Sequence, residues 1–375
     1  MAVSLTSQLQ QGVLARWCTR RLPGTGVVVD QVRAAAATAV VSRPAGRVGA
    51  GHWSTVGAVV GARLSALVQA AAPYAALYGL VGAGVVSARA SNAIAATYPA
   101  QQAVIAAEPD LAAVAVGLRP SPSDVVALFA PPPPGTGPDR SGPAVGDDGF
   151  GELAARGQLF HREHAPTATI GSHGAEVGLA RTYAAWTLGE DRYRSGTTPP
   201  ALAELAAGGA VTVAGLRELA PEAVVADAAA LARLVETSGT LTAWHDWAHQ
   251  QAPARAGGLG FAAPVLVPHW AEADLLVGDT LVEVKTVVRA DAPARVARWC
   301  WQLLGYAWLD PGRRWRIEQV GLYLARHGVT VRWALEQFET LLVGDPARVP
   351  AVRAQFQRLA ERVAVGEGAT LLPPP

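Results

Sequence analysis

The spacing of apolar and polar residues changes character near residue 260. Upstream of that point, residues 1–130 and 152–250 are rich in Ala, Val and Leu and show few alternations of period two. The segment 218–236, ELAPEAVVADAAALARLVE, carries apolar residues at helical spacing and acids near its start, which is typical of an amphipathic helix. The upstream part is therefore predicted to be helical.

Downstream of residue 260, short β-type runs replace the helical pattern. Residues 263–270, 273–279 and 280–288 predict three strands, and residues 293–310 predict a helix closed by Pro311 and Gly312. A further strand is predicted at 317–328 and a last helix at 332–342. The order strand, strand, strand, helix, strand, helix predicts an α/β or α+β core.

A stretch rich in proline and glycine, residues 130–151, separates two parts of the chain. Such a composition favours an exposed connector. Three segments are expected: a helical N-terminal region over 1–130, a linker over 131–151, and a C-terminal domain over 152–375.

Composition, charge and cysteine count limit the kinds of protein and of metal site that this chain can form. The 375 residues are 50% hydrophobic and 16% charged with a net charge of +1, so any basic surface has to be local. The only two cysteines, Cys18 and Cys300, exclude a disulfide framework and a four-cysteine metal site, and a reducing cytoplasm is the expected compartment. Residues 64–88 are uncharged but rich in alanine and glycine, so packed helices are expected there and no membrane span.

The segment 272–287, EADLLVGDTLVEVKTV, places charges inside β-type runs. Gly278-Asp279 favours a two-residue hairpin turn, and that turn pairs Val277 with Thr280. Asp274 then lies opposite Glu283, and alternation puts Lys285 on the same face as Glu283. The other face is apolar and is expected to pack into a core: Leu275, Val277, Val282 and Val284.

Two opposed carboxylates repel each other and need a compensating charge. A divalent cation with hard oxygen ligands, Mg²⁺ or Mn²⁺, provides one, and Lys285 beside it is placed to orient a water or to stabilise charge on a phosphate. The simpler alternative is a solvent-facing hairpin with an acid–lysine ion pair.

The next helix carries polar residues at every fourth position, Arg298, Gln302 and Tyr306. An acid, then Glu283-Val284-Lys285, then Gln302-x-x-x-Tyr306 on the following helix resembles the PD-(D/E)XK nuclease superfamily, in its RecB-like branch. The resemblance covers residues 263–340. It implies a restriction-endonuclease-like core, a mixed sheet flanked by helices, joined to a large helical N-terminal region.

The resemblance also implies roles for these residues. Asp274, Glu283 and the backbone carbonyl of Val284 would hold the metal, Lys285 would position the attacking water, and Gln302 and Tyr306 would organise the site. RecB-like relatives often add an upstream ligand, for which the sequence offers His161 or Glu176. No helicase motif is visible, so a stand-alone nuclease or a subunit is expected.

Local charge agrees with a nucleic-acid substrate. Between residues 281 and 332 there are nine basic and four acidic residues, and a basic surface around an acidic pocket suits phosphate binding. Arg295 and Arg298, together with Tyr306, are the candidate DNA contacts.

Two other functions stay open. His245 and His249 in HDWAH share a helix face, as in zinc hydrolases, but Asp246 stands where that pattern has glutamate. The chain is alternatively a non-catalytic protein that keeps a nuclease fold as a scaffold. The preferred hypothesis is a cytoplasmic, metal-dependent DNA nuclease in repair or in defence against foreign DNA, with the N-terminal helices positioning substrate or a protein partner.

Overall fold

The computed structural model describes residues 4–98, 144–209, 211–250, 258–267, 270–310, 313 and 315–369. Fifteen α-helices and seven strands lie in these ranges, and a single-turn 3₁₀-helix covers Pro346–Arg348. The helices are α1 Leu5–Gln11, α2 Val13–Arg21, α3 Thr25–Ala37, α4 Ala50–Val68, α5 Tyr74–Gly82, α6 Ala88–Ala96, α7 Asp147–His164, α8 His173–Ser195, α9 Pro200–Ala207, α10 Val213–Glu218, α11 Glu222–Thr237, α12 Thr240–Gln250, α13 Pro293–Trp308, α14 Leu335–Val343 and α15 Val349–Gly366. The strands are β1 Gly260–Ala262, β2 Val265–Val267, β3 Ala271–Glu272, β4 Leu275–Val277, β5 Thr280–Lys285, β6 Gln319–Leu324 and β7 Val329–Ala334.

The chain divides into two compact units. The helical unit comprises the described residues of 44–233 and Gly258, and the sheet unit comprises those of 4–43, 234–250 and 259–369. This grouping differs from the segment limits expected at residues 130 and 152, because helices α1–α3 pack within the sheet unit: the Leu5 N–H donates to the Trp270 carbonyl and the Gly24 N–H to the Leu342 carbonyl. Of the expected linker, residues 131–143 lie outside the described residues, and α7 begins at Asp147.

The helical unit is held together by close helix packing. In the apolar segment 64–88, α4 ends at Val68 and α5 begins after Pro73. A Cβ atom at Gly79 would lie 1.7 Å from the Gly189 carbonyl oxygen, so α5 and α8 approach at their glycines. Within the described residues, no helix is long and apolar enough to cross a membrane.

The sheet unit is α/β, as expected, and its main sheet is mixed. Five strands follow the order β1-β4-β5-β6-β7. β5 and β6 are parallel and are joined through α13, while the other neighbours are antiparallel. Helix α12 covers one face, where Trp244 contacts Tyr323 edge to face at 5.6 Å, and α13 covers the face that carries Glu283 and Lys285.

One expected boundary is wrong. The last helix was expected from Arg332, but it begins at Leu335, and residues 329–334 form β7. The sequence VTVRWA turns back after Gly328, which has φ +60°, and pairs antiparallel with all six residues of β6. Pairing with a neighbouring strand outweighs local helix propensity here.

The hairpin register agrees with the prediction. Val277 pairs with Thr280, Leu276 with Leu281 and Leu275 with Val282, around the two-residue loop Gly278-Asp279. Gly278 has φ +58°, as the first central residue of a type II′ turn requires. The loop therefore fixes which side chains of β5 share a face.

Replacing Gly278 is expected to destabilise the protein for two reasons. A φ of +58° costs a side-chain-bearing residue about 1–2 kcal/mol, and a Cβ atom would lie 2.5 Å from the Trp247 carbonyl oxygen, which adds about 1–3 kcal/mol of overpacking. Gly344→Ala is the matched control, because Gly344 has φ +79° but its Cβ would meet only Pro23 at 3.7 Å. Denaturant unfolding should show a larger loss for Gly278→Ala than for Gly344→Ala, and equal losses would contradict the collision.

Candidate active site

The two acids of the hairpin lie at the end of the paired region remote from the turn. The observed register, continued by one pair, puts Asp274 opposite Glu283. Glu283 is only 3% exposed and Asp274 is half-buried. The acids therefore do not lie on a solvated face of the sheet, as the simpler ion-pair hypothesis requires.

Asp274 is tied to the backbone of β5. Its Oδ2 atom accepts a hydrogen bond of 2.7 Å from the Val284 N–H. The N–H and C=O groups of a strand residue point toward the same neighbour, so the Val284 carbonyl is directed to the side of Asp274. Strand β4 begins at Leu275. Just before it, the Asp274 side chain accepts the hydrogen bond from the Val284 N–H that a paired strand would otherwise accept.

Lys285 joins the strand to the helix. Its Nζ donates to Glu283 Oε1 at 2.5 Å and to Gln302 Oε1 at 3.2 Å. The Lys285 side chain is 17% exposed, so its amine lies at a mostly buried position between a carboxylate and an amide.

Gln302 is held in one orientation by two hydroxyl groups. Its Nε2 donates to Tyr306 Oη at 2.9 Å and to Thr6 Oγ1 at 3.0 Å, which leaves Oε1 directed at Lys285. Thr6 lies on α1, almost 300 residues upstream in the chain. The sequence contains no signal that connects Thr6 to this site.

The pKa of Tyr306 is raised by burial and by the nearby carboxylates. Burial raises the pKa of Tyr306 well above its usual value, and the negative charges of Glu283 and then Asp274 raise it further. The charges of both carboxylates therefore act on the same phenol. Hydrogen bonds join Glu283, Lys285, Gln302 and Tyr306 in one chain, and Asp274 is bound to the Val284 N–H between Glu283 and Lys285.

Lys285 is also the only lysine in the chain: all other members of the 31 lysines and arginines are arginine. Arginine keeps its charge as well as lysine does but presents a flat, delocalised group with a fixed fork of donors. A compact primary amine occurs once, at the position between Glu283 and Gln302. The composition thus marks this site independently of its geometry.

The donor set suits a hard divalent cation. Asp274, Glu283 and the Val284 carbonyl offer oxygen ligands of the kind that Mg²⁺ and Mn²⁺ prefer. Within the described ranges, no group of three or more His, Cys, Asp or Glu residues gathers at one point. A metal here would rest on two carboxylates, a backbone carbonyl and water, which is typical of Mg²⁺.

The upstream ligand candidates lie in the helical unit. Glu176 is fully buried and is bound by Arg63, whose Nε donates to Oε2 at 2.7 Å and whose Nη2 donates to Oε1 at 2.9 Å, and Glu176 also accepts from the Gly171 N–H. This carboxylate is part of a structural ion pair. His161 is 8% exposed, and its Nε2 makes no hydrogen bond to a described residue.

The histidines of the zinc alternative do share a helix face. The His245 and His249 rings lie 6.2 Å apart and nearly parallel on α12. A catalytic zinc site normally takes three protein ligands, and the part of the chain that the structure describes supplies no third ligand beside them. Trp244 on the same helix is fully buried against the sheet.

The arginines near the site divide into structural and exposed ones. Arg326 is fully buried and donates to the carbonyls of Thr286 and Ser42, and Arg332 lies 4.3 Å over the Trp247 ring. Arg295 is exposed and Arg298 is half-buried. Helical spacing puts Arg298 on the α13 face of Gln302 and Tyr306, so Arg298 stays the best placed of the predicted DNA contacts.

Comparison of the chain with protein-family models, with curated proteins and with solved structures found no match.

The stability of the protein should depend on pH through His161. Burial, and then the positive charge of Arg63, lowers the pKa of His161 from 6.5 to about 4. The unfolded chain takes up a proton near pH 6.5, and the folded chain does so only near pH 4. The stability due to the neutral imidazole is therefore fully present above pH 6.5 and is lost as the pH falls toward 4, by about 3 kcal/mol.

Denaturant unfolding at pH 7 and pH 4.5 measures this loss. His161→Gln should lose less stability than the unmodified chain over that interval. His164→Gln, which removes an exposed histidine of the same helix, should behave like the unmodified chain. If His161→Gln shows the same pH dependence as the unmodified chain, His161 is not held neutral.

Proposed function

We propose that the sheet unit is a Mg²⁺- or Mn²⁺-dependent nuclease that hydrolyses DNA phosphodiester bonds, built on a restriction-endonuclease-like core. One observation carries the proposal: Lys285 bonds both to Glu283 of the hairpin and to Gln302 of the Gln302–Tyr306 pair on the next helix. The resemblance implies that these residues share one site, and Lys285 and Gln302 are 17 residues apart in sequence.

The residues have distinct roles in this proposal. Asp274, Glu283 and the Val284 carbonyl would hold the metal ion. When bound, the ion would neutralise charge on the phosphate and lower the pKa of a coordinated water. The Asp274–Val284 hydrogen bond would keep the acid and the carbonyl on the same side of β5.

Lys285 would act on the attacking water and on the charged phosphate. Its amine has three donors and a compact charge, so it has a donor for a water or a phosphate oxygen in addition to its bonds to Glu283 and Gln302. Gln302 would hold the amine in place, and the hydroxyls of Tyr306 and Thr6 would fix the amide of Gln302. Preorganised donors of this kind supply much of the rate enhancement in enzymes.

The substrate class rests on two different supports. Phosphodiester chemistry follows from the acid–acid–lysine set, and the choice of DNA follows from the resemblance to the RecB-like branch. Arg298, on the face of α13 that carries Gln302, would be the first arginine to meet the substrate backbone.

Lys285→Ala and Lys285→Arg should both lose cleavage activity. Removing one preorganised donor costs about 10²–10³-fold in rate, and the arginine variant keeps the charge but not the shape of the amine. Cleavage of linear duplex, single-stranded and plasmid DNA with Mg²⁺ or Mn²⁺ is the measurement. Arg33→Ala, which removes a half-buried arginine paired with Asp30 on α3, is the control and should retain activity.

Two results would contradict this prediction. If the unmodified chain degrades no form of DNA or RNA with either metal, the proposed function is wrong. If Lys285→Arg is fully active, the specific role proposed for the amine is wrong.

Metal binding has a test that does not depend on cleavage. Because Lys285 is the only lysine, growth with lysine labelled with ¹³C at Cε gives one side-chain NMR signal. Mn²⁺ at the acid pair should broaden that signal at stoichiometric concentration. In the Asp274→Asn/Glu283→Gln variant the broadening should disappear, while Asp30→Asn, at an exposed acid on α3, should leave it unchanged. A signal that stays sharp with Mn²⁺ in the unmodified chain would show that the two acids hold no metal.

A further inference from the structure

A basic groove lies between helices α2 and α15 of the sheet unit, with a volume of about 500 Å³. Its lining combines three arginines with apolar side chains, and the described residues of the lining include no acid. The lining residues are Val13, Arg16, Trp17, Arg20, Arg21 and Leu359.

Helical spacing explains why one face of α2 forms this groove. Residues 13, 16, 17, 20 and 21 follow the i, i+3, i+4, i+7, i+8 pattern of a single helix face. Leu14 and Cys18, on the adjacent face of the helix, are buried. Helix α2 therefore has a packed side and a basic side.

No described acid forms an ion pair with the arginines of the groove. All three are exposed. Some exposed arginines of the sheet unit, such as Arg289 and Arg313, pair with acids. Others, such as Arg295 and Arg348, are exposed and likewise form no ion pair with a described residue, so what sets the groove apart is that three such arginines share one helix face. Arg16 and Arg20 are four residues apart, a spacing at which like charges destabilise a helix.

Trp17 is the aromatic member of the lining and is held rigidly. Its ring meets Trp308 edge to face at 6.4 Å and Phe356 at 5.4 Å, and it remains partly exposed. Trp308 lies on α13, the helix of Gln302. At a rise of 1.5 Å per residue, their separation of six positions corresponds to about 9 Å along the helix axis.

We propose that this groove binds single-stranded nucleic acid, with phosphates on Arg16, Arg20 and Arg21 and a base on the exposed part of Trp17. Proteins that bind single strands without sequence preference combine a positive groove with aromatic side chains for stacking. An acidic peptide would engage the arginines but has no obligatory planar group for the indole. That the bound strand leads to the acid pair rests on the proposed nuclease function; the binding itself does not.

Fluorescence anisotropy of the full chain with a labelled oligothymidylate, in EDTA and at several salt concentrations, tests the groove. Arg16→Ala/Arg20→Ala should weaken binding at least about tenfold and reduce the slope of log Kd against log salt by about 1.4, at about 0.7 per phosphate contact of a single strand. Trp17→Leu should weaken binding with little change in that slope. The control Arg43→Ala/Arg348→Ala removes the same net charge from exposed positions of the same unit and should bind like the unmodified chain.

Three outcomes would overturn the groove. The Arg16→Ala/Arg20→Ala variant binds like the unmodified chain, or the control loses as much affinity as it does. The third is that binding of polyglutamate depends on Arg16 and Arg20 while binding of oligothymidylate does not depend on them. Because EDTA prevents metal-dependent cleavage, the binding result is independent of whether the chain is a nuclease. If the unmodified chain has no nuclease activity, only the proposal that the bound strand leads to the acid pair is wrong.

Discussion

Glu283 is a carboxylate at a buried position of a central strand, and the organisation of the sheet unit around it follows from the need to balance its charge. An ionised carboxylate without partners at 3% exposure would cost several kcal/mol. Lys285, two residues along the same strand, supplies the opposite charge at 2.5 Å. Lys285 in turn needs an acceptor, which Gln302 provides from α13. The position of α13 on the sheet is thus linked to a polar network that runs from strand to helix.

A network of this kind is useful for catalysis because each member is fixed by the next. Gln302 is bound by Thr6 and Tyr306, and Asp274 is bound by the backbone of β5. In the proposed nuclease, few side-chain rotations would have to be arrested when a substrate binds. Ion pairs at buried positions contribute little net stability, so fold stability alone is a weak reason for acid, acid and lysine to occur together here.

Part of this arrangement was accessible from the sequence because it is set by local rules. Gly278-Asp279 specifies the hairpin loop, the loop fixes the register, and the period of two assigns the faces. Gln302 and Tyr306 share a helix face by their spacing. Thr6 was not accessible, because its contact with Gln302 depends on how α1 packs in the sheet unit. Strand β7 was missed for the same reason: its pairing with β6 overrides a segment whose local pattern also suits a helix.

The arginines near the acid pair differ in how much charge they can offer a substrate. Nine basic residues between 281 and 332 suggested a basic surface around the acids, but Arg326 is buried on backbone carbonyls, and Arg289 and Arg313 are paired with acids. A sequence count weighs these arginines equally with exposed ones, although a paired or buried guanidinium has little left to offer a phosphate. The three arginines of α2 lie far upstream in sequence, carry no ion pairs with described residues, and share one groove. Charge that is exposed, unneutralised and next to an accessible aromatic ring is better evidence for a nucleic-acid surface than charge that is merely close in sequence to the acids.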